Sequence, residues 1–549
     1  MLLALKMNIK HGLMLRHMYR LTLVRRKSTY FITTPIFYVN AVPHIGHLYT
    51  AVIADAVHRF RMLLGCQQSI FSTGTDEHGT KIQEAALKSG SSLPDYCNNI
   101  SKQYRDLFDL CKISYTDYVR TTEDCHVKEV QRFWKKLEAG GHIYEGKYAG
   151  WYCTPDEAFL SENQLAEKQA PDGSIYKVSA ESGHRVEWTH EENFMFRLSR
   201  FKDDLLHWLQ NEHSVQPSKF RQRLVDFVSN DELLHDISVS RPKDRVHWGI
   251  PVPGTPQQTI YVWLDALVSY ITVARSRAWP PDLQIVGKDI LKFHGVYWPA
   301  FLIAAGMEPP YSLLCHSHWT VNGEKMSKSK GNIVDPLQCI EKYSVSGLRY
   351  FLLREGVPHS DGNYSETKAI RILNSELADS LGNLLNRCCG ATVNPEQIFP
   401  QFCPERFFEL RKSEETLRLL DLLAELPDKV KEHYETYNFY KGINSIIATL
   451  HAANGFFESQ KPWELRKKHL VPHLNTVLHL TMETLRVCGI ALQPVIPDIC
   501  EVLLDKLGIQ PGKRKWCDIK PFSWEKNAVD NTPISAEKVT LYRRILASK

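Results

Sequence analysis

The sequence predicts an α/β domain built on a parallel sheet, interrupted by an inserted module and continued by an all-α bundle. Three observations predict it. Two strand–helix–strand patterns lie far apart in the chain, a polar and turn-rich stretch separates them, and after about residue 369 strand-like runs give way to helical periodicity. A chain of 549 residues with 43% hydrophobic content holds several cores. Domains usually run to about 100–200 residues, which gives three or four units.

The first pattern opens with YFITT at 30–34, a β-branched and aromatic run ended by Pro35. Leu48, Val52, Ala56, Phe60 and Leu63 then recur every three or four residues, the mark of an amphipathic helix. Gly65 closes that helix, and residues 68–73 read as the next strand. The second pattern is a strand at 284–286, a helix over 293–304 and a strand at 313–316. These place the first half of the α/β domain at 29–144, the insertion at 145–256, the second half at 257–320, a loop and linker at 321–369, and the bundle at 370–549. Leu474, Val477, Leu478, Met482, Leu485 and Leu492 mark one apolar helix face in that bundle.

Residues 1–28 precede all of this. Lys6, Lys10, Arg16, Arg20, Arg25, Arg26 and Lys27 stand among Leu, Met and Val, and the first carboxylate of the chain is Asp55. A basic, acid-free leader of this kind predicts mitochondrial import to the matrix; a basic tail that touches RNA is the alternative. No stretch approaches the roughly 18 apolar residues of a membrane span, so no membrane partner is expected. The formal charge of +5 permits a polyanionic partner without requiring one. The thirteen cysteines are scattered, none in C-x-x-C, and read as free thiols.

The chemistry is carried by two short segments. His44-Ile45-Gly46-His47 sits between a strand end and a helix start, where backbone N–H groups and the positive helix end can hold a phosphate. Gly46 lacks a Cβ and lets a flat ring approach the backbone, and the two imidazoles can donate to phosphate oxygens that gain charge. Taken alone, H-x-G-H reads more readily as two solvent-facing histidines. Far downstream, KMSKSKG at 325–331 suits a loop that closes over a polyphosphate, although a lysine-rich hexamer is more often an exposed turn.

Together, in this order and on the two halves of a split sheet, the segments resemble the HIGH and KMSKS signatures of the class I aminoacyl-tRNA synthetases. FITTPIFYVNAVPHIGHLYT at 31–50, STGTDEHGT at 72–80, YVWLDALVSY at 261–270 and IVGKDILKFHGVYW at 285–298 look like those of the methionyl-tRNA synthetases. The similarity runs from about residue 30 to the end and is strongest in the catalytic half. It implies a Rossmann-like catalytic domain split by a connective insertion and an anticodon-binding helical bundle. The substrates it implies are L-methionine, ATP with Mg²⁺, and tRNA(Met), and the enzyme is expected to be a monomer.

By this resemblance His44, His47, Lys325 and Lys328 are catalytic, and Gly46, Gly287 and Asp289 join them in holding ATP. The methionine pocket is formed by Ile36, Tyr38, Trp263, Ala266, Leu267, Tyr270, Ile290 and His294, with Asp76 as counter-ion to the substrate ammonium. Such a pocket must be apolar and tolerate sulfur against ring edges. Asp265 is open to two readings, of which one is a brace for the pocket wall. Trp463 is implied as the residue that stacks on the anticodon, with Asn374 and Arg387 as polar readers. Packing of Trp463 into the bundle is an equal alternative.

Many relatives carry zinc knuckles in the insertion. Here Cys153 is the sole cysteine of residues 145–256, short of the four ligands a closed zinc site needs, so no structural zinc is expected. A synthetase for leucine, isoleucine or valine would carry a longer, editing insertion. A catalytically dead RNA-binding relative would not need His44, His47, Lys325 and Lys328.

Overall fold

The computed structural model describes residues 29–153, 158–160, 162–170, 172–180, 183–274, 277–326, 331–522 and 531–546. The leader read as an import signal lies outside the described residues.

In chain order, β1 (Thr29–Thr33) leads to α1 (Ile45–Leu63), β2 (Gln68–Asp76), α2 (Leu93–Leu110), β3 (Asp117–Arg120) and α3 (Asp124–Ala139). Next come a long antiparallel pair, β4 (Ile143–Cys153) and β5 (Glu187–Phe196), and the two-residue β6 (Val215–Gln216). Then α4 (Val262–Ala274) precedes β7 (Leu283–Gly287) and β8 (Leu313–His316).

β1, β2, β3, β6, β7 and β8 form one parallel sheet in the spatial order β3-β2-β1-β7-β8-β6, and the two-residue strand Phe37–Tyr38 also pairs with β2, making seven strands. Every residue of β7 and β8 is buried, as expected when helices cover both faces of a parallel sheet. Strand order reverses between β1 and β7, whose registry pairs Ile32 with Leu283. A reversal of this kind opens a crevice at the carboxyl ends of the two strands, where doubly wound folds bind ligands.

The stretch read as one insertion is less uniform than its composition suggested. β4 and β5 leave the core as a separate antiparallel sheet, but β6 returns to the edge of the parallel sheet, pairing Val215 with Leu313. The helices Lys202–Gln210 and Ser218–Ser229 flank it, and their Leu205, Leu209, Phe220 and Leu224 share a core with Trp298 and Phe301. A two-residue edge strand has no alternation for sequence to display.

α5 (Pro336–Glu355) links to the bundle. The first bundle helix, α6, runs Glu366–Ile372, through a π-helical stretch Leu373–Asn383, to Leu384–Cys389. α7 (Glu414–Glu435), α8 (Phe439–Gln460), α9 (Pro462–Lys467), α10 (Val471–Leu492) and α11 (Pro497–Lys506) follow. α10 is buried almost all round and forms the bundle's centre. One strand pair does occur here, Ile398–Phe399 with Thr532–Pro533, which ties the returning C-terminal segment to the bundle. Among the described residues, no helix is long and apolar enough to cross a membrane.

Candidate active site

α1 begins with its two histidines capping each other. His44 is the N-cap, its Nδ1 accepting from Gly46 N at 3.0 Å, while His47 Nδ1 accepts from His44 N at 3.2 Å. The rings stack with centroids 3.7 Å apart. The flat ring that lies on Gly46 is therefore the imidazole of His44, and a Cβ at that glycine would come within 2.9 Å of its Cε1.

The cap also settles the tautomers. Each Nδ1 accepts a backbone N–H, so each imidazole carries its proton on Nε2 and keeps one donor for a ligand. Burial lowers His44 from 6.5 to about 4, and burial with the neighbouring His44 holds His47 well below its ordinary value. Both are neutral donors. Tyr104 of α2 braces His47, its hydroxyl 3.1 Å from Nδ1.

Across the crevice, β7 ends at Gly287, where a Cβ would meet the Asp289 carboxylate at 2.6 Å. Asp289 accepts from His318 Nε2 at 3.0 Å and is otherwise half open. Desolvation alone would raise it, but His318 and Lys325 hold its carboxyl well below the usual range. Asp289, His318 and Lys325 also act electrostatically on His44, so the fold brings two sequence-distant segments to one point.

Lys325 is exposed on a hairpin of Trp319–Val321 with Glu324–Lys325. Lys328 lies outside the described residues. Of the described residues on either side of it, Met326 approaches Gly46 and Val334 O accepts from Ile45 N at 3.2 Å, so both flanks meet the first turn of α1.

Of the pocket residues, Trp263, Ala266, Leu267 and Tyr270 share one face of α4 at helical spacing. Trp263 stacks on Phe293 with centroids 3.7 Å apart, and Tyr270 Oη donates to His294 Nε2 at 2.7 Å. His294 Nδ1 donates to Ile290 O at 3.0 Å, and burial lowers its pKa to about 4. Tyr38 pairs in register with Asp76, which is buried at the carboxyl end of β2. Ile36 stays partly buried against Phe31, Ile70, Val119, Val273 and Ala274. Asp265 is buried beneath this wall and bonded to His78 and His126, each at 2.7 Å.

Sequence reading missed Phe293, His318, Tyr104 and the histidines around Asp265. Phe293 and His78 carried a local signal, lying beside His294 and Asp76 in matched motifs.

In the bundle, Arg387 lies over the rings of Phe457 and Trp463, at 4.9 and 5.8 Å, and pairs with Glu458 at 2.5 Å. Trp463 is partly buried at the start of α9. Asn374 stands apart. Its amide closes two hydrogen bonds with the backbone of Ile545, at 2.9 and 2.8 Å. Asn383, four residues before Arg387 on the same helix, is exposed.

Two neutral imidazoles at a helix start by a topological switch point, beside an aromatic wall and the buried Asp76, suit an enzyme that activates an amino acid with a nucleoside triphosphate. The model of the family described as tRNA synthetases class I (M) matches residues 30–389. The mitochondrial methionine–tRNA ligase of Homo sapiens is 48% identical over 503 residues, covering 88% of this chain and 84% of the relative. The probable mitochondrial methionine–tRNA ligase of Schizosaccharomyces pombe is 40% identical over 505 residues, covering 89% and 91%. Among solved structures, Mycobacterium tuberculosis methionyl-tRNA synthetase in complex with methionyl-adenylate aligns with a TM-score of 0.86 at 34% identity, covering 94% of this chain and 100% of that one. The chain belongs to the class I methionyl-tRNA synthetase family.

Proposed function

We propose that this crevice joins L-methionine to ATP, giving methionyl-adenylate and pyrophosphate, and then passes the methionyl group to tRNA(Met). The observation that carries the reading is the reciprocal histidine cap facing Asp289 and Lys325 across the switch point. The methionine carboxylate attacks the α-phosphate in line and pyrophosphate leaves, so the protein positions reactants and stabilises charge rather than forming a covalent bond.

His44 and His47 donate from Nε2 to the α-phosphate as its charge grows, with the start of α1 and Gly46 beneath it. Lys325 and Lys328 hold the β- and γ-phosphates. Gly287 leaves room for the Asp289 carboxylate, which takes the adenosine ribose. Asp76 balances the methionine ammonium, and Tyr38, Trp263, Tyr270, Ile290 and His294 surround the thioether, with Ala266, Leu267 and Ile36 behind. The second step moves the acyl group to a terminal ribose hydroxyl of the tRNA, the 2′-OH by family analogy.

Mg²⁺ fits here as a companion of the triphosphate. Asp289 gives Oδ1 to His318 and is read as the ribose acceptor, and among the described residues no group of three or more His, Cys, Asp or Glu could hold an ion. A cation would rest on phosphate oxygens and water and would neutralise charge on the leaving pyrophosphate. The insertion's cysteine count argues for a module without structural zinc, which metal analysis of dialysed protein tests; stoichiometric zinc overturns it.

The mitochondrial relatives support work in mitochondrial protein synthesis, and the basic leader supports the matrix as the compartment. We divide the chain as the sequence suggests, with β6 counted to the catalytic sheet. The bundle reads the anticodon through Trp463 and Arg387, with Asn383 in place of Asn374, and the enzyme works as a monomer. The deciding assay is pyrophosphate exchange into ATP. Exchange that depends on methionine supports the reading, and equal exchange with leucine or isoleucine overturns it.

A further inference from the structure

We infer that His78, Asp265 and His126 are positioning residues that lock the ammonium site and the thioether wall into one rigid pocket, and so set discrimination among amino acids. The inference rests on the pocket reading above and deepens it.

α4 is strongly apolar, VWLDALVSYITVA, yet carries a carboxylate that is only 1% exposed. A buried charge is costly unless paired, and an apolar residue would pack there at no such cost. The pairing is complete. Asp265 Oδ2 accepts from His78 Nδ1 and Oδ1 accepts from His126 Nε2, both at 2.7 Å. Burial would raise this carboxyl, and the two imidazoles hold it below its ordinary range instead.

The His78–Asp265 bond joins the two places that matter. His78 lies two residues beyond Asp76, and Trp263 lies two residues before Asp265. The 2.7 Å bond thus joins the end of β2, which faces the ammonium, to the helix that supplies the thioether wall. His126, in the first turn of α3, grips α4 at a second point, its Nδ1 2.9 Å from Thr272 Oγ1. Asp265 and Thr272 are two helical turns apart, so His126 opposes rotation of α4 about its axis. A rotation of roughly 20° would carry side-chain atoms about 5–6 Å from the axis through about 2 Å, enough to misplace Trp263 and Tyr270.

The segment at β2 is anchored as well. Glu77 takes two bonds from Arg120, at 2.6 and 2.9 Å, and its carbonyl accepts from Trp248 Nε1 at 2.6 Å. Trp248 in turn lies edge-on to the His78 ring. Asp76 therefore sits beside two fixed side chains, and the relay passes that rigidity to α4.

Asp265→Asn tests this by pyrophosphate exchange with the full-length enzyme. KM for methionine is expected to rise about 10- to 100-fold, the scale of an ångström-sized misplacement. KM for ATP and the melting temperature stay near wild type. Preference for methionine over ethionine, one methylene longer, should fall at least about fivefold, since a well-fitted pocket gains about 10- to 200-fold from such a group. His126→Gln, which removes one bond of the two, is read in its place if Asp265→Asn is insoluble, and should move the same quantities less. Trp263→Ala serves as the control on the pocket. Unchanged methionine KM and ethionine preference in a folded relay variant, with Trp263→Ala impaired, overturn the relay and leave the pocket. An unimpaired Trp263→Ala overturns the pocket itself.

Discussion

At its amino end α1 is held by two neutral imidazoles whose Nδ1 atoms cap the helix, which leaves each an Nε2–H. Three turns on, the same helix carries Asp55, fully buried, with Arg349 at 2.5 Å, Arg59 at 2.8 Å, and the amide and hydroxyl of Ser114 at 2.7 and 2.6 Å. Arg349 spends its other donors on Val495 O, Pro494 O and Cys111 O, at 3.1, 3.3 and 3.2 Å. Phe60 then meets Tyr434 and Trp516 edge-on. One end keeps donors for a substrate, while at the other the Asp55–Arg349 pair ties the helix to Pro494 and Val495 of the bundle. The contrast shows how one helix serves both phosphate chemistry and domain attachment: the buried carboxylate is fully paired where the helix docks, and the imidazoles keep a donor each where a ligand is proposed to come.

The largest effect is expected at the docking end. Arg349→Ala leaves Asp55 buried without its main partner and should destabilise the core–bundle junction by about 3–5 kcal/mol, read as an earlier first unfolding transition. Pyrophosphate exchange per folded molecule should survive. The paired change Asp55→Leu with Arg349→Met should recover most of the loss, because no charge is then stranded. Wild-type melting of Arg349→Ala would dissolve the contrast.

The opposite pattern is expected at the amino end. His47→Ala should slow adenylate formation roughly 10²- to 10³-fold, as for loss of one donor to a developing oxyanion. Its melting loss should be limited to about 1 kcal/mol of capping. A variant that melts early but exchanges pyrophosphate normally would make His47 a cap and nothing more.

Trp463→Ala sharpens the comparison from the bundle side. Loss of one stacked base costs about 1–3 kcal/mol, so kcat/KM for tRNA should fall about five- to a hundred-fold while exchange stays near wild type. A folded variant that charges tRNA normally refutes the anticodon role, and one that also loses stability and exchange assigns the indole to packing.

The smallest expected effect is on the pH profile of exchange. His44 and His294 have pKa values lowered to about 4, so neither should titrate in the folded enzyme between about pH 5.5 and 8. Stability behaves differently. Unfolded imidazoles bind protons below about pH 6.5 and these folded ones do not until near pH 4, so stability is full above the first value and declines toward the second. Asp55, held low by its arginines, adds a further loss at lower pH. An NMR titration of His44 with a midpoint near about 6.5 would remove its standing as a neutral donor.

The sequence by itself determined what is local. Periodicity located α1, β7, β8 and the bundle helices, because a 3.6-residue or unbroken apolar pattern is written over a few neighbouring residues. The two histidines of the cap are three residues apart and their helix start could be read directly, and the matched motifs named Trp263, Tyr270 and His294. Tertiary structure alone decided what joins distant segments. Strand order set β1 beside β7 and so brought His44 to Asp289 and Lys325; β6 was drawn to the sheet edge; Asn374 was taken up by Ile545. His78 and Asp265 are 187 residues apart and Asp55 and Arg349 are 294. A buried charge reveals its partner only when the chain has folded, since desolvation forces the pairing but leaves no periodic trace along the sequence.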